Sequence, residues 1–109
     1  MAATQGPNGA SSLTPEWNAG RRELRYDGKV VKRYRVPAAN QQVILSVFQE
    51  MGWPECIDDP LSPDGEHDPK QRLQATIKSL NRSQLVEAVR FHGNGTGSQI
   101  YWEAVATST

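Results

Sequence analysis

Few side chains in this sequence belong to types that do covalent or metal chemistry. Cys56 is the sole cysteine, and His67 and His92 are the two histidines. Together with Asp58, Asp59, Asp64, Glu66 and Asp68, Cys56 and His67 invite a metal-site reading. Their spacing fits neither a zinc motif nor the D-x-[DN]-x-[DN]-G calcium loop. A solvated acidic loop accounts for them, so neither a metal site nor a cofactor is expected. No Ser/His/Asp or Cys/His arrangement stands at a persuasive spacing, and paired carboxylates occur only in the acidic loop. The expectation is therefore that the chain has no catalytic residues and is not an enzyme. Gly93, Gly95 and Gly97 in HGNGTGS suggest a phosphate-cradling loop. Such loops join a strand to a helix, and the common one ends in Lys-Ser/Thr. Here neither the helix nor the lysine follows, and the mobile tip of a long hairpin explains the glycines better.

The stretch with more to offer is Asp68 to Arg82, DPKQRLQATIKSLNR. Asp68 suits the N-cap, Pro69 the first helical position, and Gln71 stands three residues after the cap, a start resembling a capping box. Leu73, Ile77 and Leu80 recur at i, i+4 and i+7 and form one apolar stripe. The opposite side holds Gln71, Gln74, Ala75, Lys78, Ser79 and Arg82 and no carboxylate. Solvated helix faces usually mix both signs. Amides, hydroxyls and cations without an acid suit base edges and phosphates. An ordinary amphipathic helix with a short polar face satisfies the same pattern.

The chain has 109 residues and no net charge at pH 7, enough for one small domain with a modest core. Its charge is unevenly distributed. Residues 16–37 hold seven Lys/Arg against three acids, residues 38–68 seven acids and no Lys/Arg, and residues 69–109 five Lys/Arg against two acids. Segregated charge steers partners even when the total cancels. Folding could equally pair the acidic and basic segments as surface ion pairs, each worth little. No apolar run approaches the roughly 20 residues a bilayer span needs. The first residues lack a basic stretch followed by an apolar one. With one cysteine and no internal disulfide, the expectation is a cytoplasmic protein with no membrane partner. Its oligomeric state is not legible.

Residues 1–15, small, polar and rich in Gly, Ser and Pro, predict a disordered tail. Trp17 is the first residue expected to pack. Residues 21–36, RRELRYDGKVVKRYRV, predict a β-hairpin turning at Asp27-Gly28. Leu24 and Tyr26 share one face. Val30, Tyr34 and Val36 share a face of the return strand and leave Val31 on the other, a mismatch a bulge would reconcile. The basic residues of this hairpin suit protection of a sheet edge, with phosphate binding as the alternative. Asn40 to Met51 predicts the main core helix, burying Val43, Ile44, Val47, Phe48 and Met51, with Gly52 and Pro54 as stops. Residues 53–68 predict a loop in which Trp53, Ile57 and Leu61 dip into the core, with a short helical turn near residues 58–61. Residues 85–104 predict two strands, with Val89 and Phe91 alternating on the first and Ile100, Trp102 and Ala104 on the second. Residues 106–109 form a frayed end.

These elements predict an α+β domain over residues 16–105, with two or three helices packed on antiparallel hairpins. The order resembles a winged helix-turn-helix domain of the OmpR type, the output domain of bacterial response regulators. The likeness covers roughly residues 21–104 and lies in element order, with Val89-Arg90 and Tyr101 in places comparable to the family's T-V-R-G-x-G-Y wing pattern. The glycine segment between them is longer here, and the family's second helix falls in the proline- and acid-rich loop. The resemblance implies a double-stranded DNA partner and a role in transcription regulation. It makes residues 69–82 the recognition helix, with Gln71, Gln74, Lys78, Ser79 and Arg82 facing DNA, and it sets Arg90 and His92 of the C-terminal wing on a phosphate or the minor groove. The alternative is a protein-interaction module of the same fold, without enzymatic activity.

Overall fold

The computed structural model describes residues 13–61, 65, 68–95 and 97–105. The expected N-terminal tail therefore falls, over residues 1–12, outside the described residues, as does the frayed end at 106–109. Six strands and two helices follow in the order β1 (Glu16–Asn18), β2 (Glu23–Tyr26), β3 (Lys29–Arg33), α1 (Ala39–Glu50), β4 (Cys56–Asp58), α2 (Pro69–Asn81), β5 (Val89–Gly93) and β6 (Gln99–Ala104). The strands form two three-stranded antiparallel sheets, β1-β2-β3 and β4-β6-β5. The fold class is α+β, as the hairpins and helical periods require.

The first hairpin turns where expected. Asp27 and Gly28 both have left-handed φ, 53° and 77°, the two-residue geometry that matches strand twist. The register changes between Leu24 and Arg25. Leu24 lies opposite Lys32 and Arg25 opposite Val30, which leaves Val31 as the extra residue of a bulge. This bulge corrects the expected face. Val31 is fully buried, because the inserted residue re-aims its side chain, and Val36, beyond the end of β3, is 70% exposed. β1 was not expected. At three residues it is too short to show alternation, but it pairs with β2 and buries Trp17.

α1 is held from both ends of its C-terminal half. Gln49 Oε1 accepts from the Trp17 backbone N–H at 2.7 Å and from Trp53 Nε1 at 2.9 Å, and Trp17 Nε1 donates to Ser46 Oγ at 3.1 Å. Gly52, at φ 81°, ends the helix. Its N–H reaches Gln49 O, and the Trp53 N–H reaches Phe48 O, the paired bonds of a Schellman motif. That turn stacks Trp53 on Phe48, centroids 4.9 Å apart and rings 7° from parallel. The buried wedge is Ile44, Leu45 and Phe48, while Val43 is 40% and Met51 61% exposed. The expected stripe is thus corrected by a fraction of a turn. The Trp17 and Trp53 attachments on Ser46 and Gln49 fix the helix's rotation.

Between the helices, the expected turn of helix near residues 58–61 does not form: residues 56–58 are a strand, and 59–61 have no regular structure. Cys56, Ile57 and Asp58 pair with Tyr101, Ile100 and Gln99, and β6, some forty residues later, supplies the partner. Trp53, Ile57 and Leu61 are buried, as their apolar character predicts. Leu85 and Val86 are exposed and precede β5, so the first strand of the C-terminal hairpin starts at Val89 and not at Leu85. The Leu85 N–H is spent on Val31 O at 2.7 Å, on the edge of the other sheet. Leu73, Ile77 and Leu80 of α2 meet Val89, Phe91 and Ile100 in one core cluster with the α1 wedge, Leu24 and Val31. Trp102 is only partly buried against it, with its Nε1 donating to Pro54 O at 2.9 Å.

Candidate nucleic-acid interface

α2 is fixed at its start by its own cap and at its end by a side chain from a distant strand. At its start the Asp68 carboxylate accepts from the Lys70 N–H at 3.0 Å, and Pro69 takes the first position. At its end Lys32 of β3, only 7% exposed, donates Nζ to Ser79 O at 3.0 Å and Arg82 O at 2.7 Å. A cation on the last carbonyls satisfies acceptors the helix leaves open and complements its dipole. Asn81 exchanges two 2.8 Å hydrogen bonds with the Phe91 backbone, N–H and C=O together. It thus stands in for a neighbouring strand along the edge of β5. Gln84 Nε2 donates to Val89 O at 2.7 Å.

Held in this way, α2 turns Leu73, Thr76, Ile77 and Leu80 inward and leaves Gln71, Gln74, Ala75, Lys78 and Arg82 exposed, with Ser79 half-buried. The sequence-derived residues of this helix therefore lie together on one surface. The glycine turn after β5 packs beside the start of the same helix. Gly97, at φ 77°, lies so close to the aliphatic stem of Lys70 that a methyl group in its place would overlap it. Ser98 O accepts from the Asp59 N–H at 2.9 Å. Gly97 and Ser98 of this turn thus lie against α2 and the end of β4.

Arg90 and His92 occupy a different surface. They alternate with buried Val89 and Phe91 along β5, so they point out of the β4-β6-β5 sheet on the face away from the core, with the core between them and the polar face of α2. His92 stacks on Tyr101, centroids 5.4 Å apart and 11° from parallel, and Cys56 lies opposite Tyr101 in register. Cys56 pushes the Tyr101 hydroxyl above its ordinary range, and burial adds to this. Cys56 and His92 are thus on one sheet face but two interstrand spacings, roughly 10 Å, apart. That is too far for the thiol to pass its proton to the imidazole directly. Among the described residues no group of three His, Cys, Asp or Glu could hold a metal, and Asp64, Glu66 and His67 lie outside them. No helix among the described residues is long and apolar enough to cross a membrane.

The convergence of two basic segments at the C-terminal end of α2 escaped the sequence reading. A cleft of about 340 Å³ there is lined by Lys32, Arg33, Arg35, Ser79, Arg82 and Ser83, with Tyr34 and Gln41 beside them. Within the first hairpin, Glu23 takes Arg33 at 2.9 Å and Arg25 at 3.3 Å. Its carboxyl is held below the ordinary range chiefly by the Arg33 hydrogen bond. The remaining cations of the cleft have no such partner among the described residues. The only signal in sequence was the excess of Lys/Arg over residues 16–37, and nothing local says which helix that excess meets. No family model, curated protein or solved structure matches the chain.

Proposed function

We propose that this domain binds double-stranded DNA through the exposed face of α2, in the manner of a winged-helix domain, and that it works by binding and not by catalysis. The observation that carries this reading is the makeup of that face. Gln71, Gln74, Ala75 and Lys78 along α2, and Arg82 at its C-cap, are solvent-exposed with no carboxylate among them. A helix fits the major groove, where amides pair with adenine edges and cations meet phosphates. The element order supports the reading: a small N-terminal sheet, helices, then a C-terminal hairpin. One departure is that a strand, β4, stands between the two helices where the family has its second helix. A further difference is that Arg90 and His92 lie on the outer sheet face, so their contribution would be to a separate stretch of backbone.

Titration of a labelled duplex at two salt concentrations tests the proposal. Affinity should fall steeply with salt as counterions are released. Lys78→Ala should weaken binding to all sequences and lower the salt slope by about one unit. Gln74→Ala should change sequence preference and leave the slope alone. Absence of binding to long duplex at low salt would overturn the reading and favour a protein partner.

A further inference from the structure

The cleft between the end of β3 and the C-terminal end of α2 has an unusual charge balance. Lys32 sits at its floor with Nζ donated to two main-chain carbonyls. Burial, and then the Arg82 charge, push its ammonium below the ordinary lysine range. Arg35 and Arg82 are exposed at the rim, and neither guanidinium has a carboxylate partner among the described residues. Arg33 is already answered by Glu23. No carboxylate lines the cleft. Like charges gathered around a buried lysine repel one another, and an anion placed among them relieves that repulsion.

The shape of the site selects the anion. Arg35 follows β3 and Arg82 caps α2, so both elements contribute a guanidinium to the lining, and a guanidinium is a planar fork suited to two oxygens of one phosphate. Hydroxyl donors are at hand in Ser79 and Ser83. The Tyr34 hydroxyl, which burial keeps protonated, donates to Gln41 Oε1 at 2.7 Å, so Gln41 has its NH₂ left to donate. The start of α1 also borders the cleft at Ala38. That helix has no side-chain cap and no acid in its first turn, which leaves positive main-chain potential facing the same space. A backbone phosphodiester carries a full charge on two non-bridging oxygens, each able to accept more than one hydrogen bond, so it can join donors from several of these groups.

We propose that this cleft is a phosphate clamp, holding one backbone phosphate of the duplex beside the groove that α2 enters, with Arg35 and Arg82 as its jaws. The proposal rests on the reading of α2 as a DNA-contacting helix. It assigns the first basic segment a direct part in binding, beyond guarding a sheet edge, and it makes Arg35 a contact residue.

The test compares the whole chain with two variants, Arg35→Gln and Lys29→Gln, in the same duplex titration across salt. Lys29 is exposed beside the hairpin turn, outside the cleft. Arg35→Gln should weaken binding roughly tenfold, the loss of one charge-assisted contact, and lower the salt slope by about one unit. Lys29→Gln should match the parent chain. In the parent chain, amide resonances of residues 35, 36, 38–41, 82 and 83 should shift as duplex is added. A parent chain that binds, with Arg35→Gln equal to it in affinity and slope, would overturn the clamp and leave the α2 reading standing. Equal losses for both variants would also overturn it, because the hairpin would then act only as diffuse charge. A parent chain that does not bind duplex at low salt would remove the α2 reading itself and the clamp with it. Inorganic phosphate that shifts the same amides without duplex binding would count for a free-anion site and against the clamp on DNA.

Discussion

The two helices are similar in length and share one core, yet they meet solvent in different ways. α1 buries Ile44, Leu45 and Phe48, and its polar residues Ser46 and Gln49 are engaged by Trp17 and Trp53. α2 buries Leu73, Thr76, Ile77 and Leu80, and its outward side chains Gln71, Gln74 and Lys78 are exposed. Ser46 and Gln49 of α1 hold the fold together, whereas Gln71, Gln74 and Lys78 of α2 remain available to a partner. A polar residue on a helix therefore says little until its neighbours are known. The distinguishing feature is whether a second element has already used the face.

The largest test of this contrast is in the core. Phe48→Ala should cost about 3–5 kcal/mol in urea unfolding, since it removes a ring stacked on Trp53 and in contact with Phe91. Gln74→Ala on the exposed face of α2 should change stability by less than about 0.5 kcal/mol. Comparable costs at the two sites would erase the distinction between the helices. On α1 itself, Leu45→Ala should cost about 2–5 kcal/mol, and Val43→Ala clearly less because Val43 is 40% exposed. The reverse order would restore the stripe read from the sequence.

Asn81→Ala should destabilise by about 1–3 kcal/mol, because it strips both polar partners from the Phe91 backbone on an edge strand. Asn81→Asp, which keeps the acceptor and loses the donor, should fall between. An Asn81→Ala variant with unchanged melting would mean that solvent satisfies that edge as well as the side chain does. Gly97→Ala should cost about 1–3 kcal/mol, from a left-handed φ and the overlap with Lys70. A neutral effect would show that the turn leaves α2 easily.

The smallest effect concerns Glu23. Its folded-state pKa lies below the ordinary value of about 4.5. Its stabilising contribution is therefore present above that value and lost as pH falls through the lowered one. Thermal melts from pH 6 down to 2.5 should show a shallower acid decline for Glu23→Gln than for the parent chain. Parallel declines would mean that the Arg25 and Arg33 pairs are worth nothing in solution, screened through the exposed arginine side chains.

The sequence by itself determined the elements whose information is local. The Asp27-Gly28 turn, the Asp68-Pro69 start, the Gly52 stop and the buried faces of α2, β5 and the start of β6 each follow from residue type at short spacing. The polar residues of the α2 site were legible for the same reason, since helical period alone places them on one side. Tertiary structure decided what depends on distant partners. β1 and β4, each three residues long, are strands only because β2 and β6 pair with them. The rotation of α1 follows from tryptophans bound to Ser46 and Gln49, and the bulge at Val31 depends on cross-strand register. The separation of Arg90 and His92 from the α2 face comes from the pleat of β5 set against a core on one side. The meeting of Lys32 and Arg35 with Arg82 comes from packing β3 against the end of α2, across some fifty residues of chain. Spacing along the chain fixes contacts within a turn or a hairpin. Contacts between elements are fixed by which apolar faces bury together, and composition can announce such a convergence without locating it.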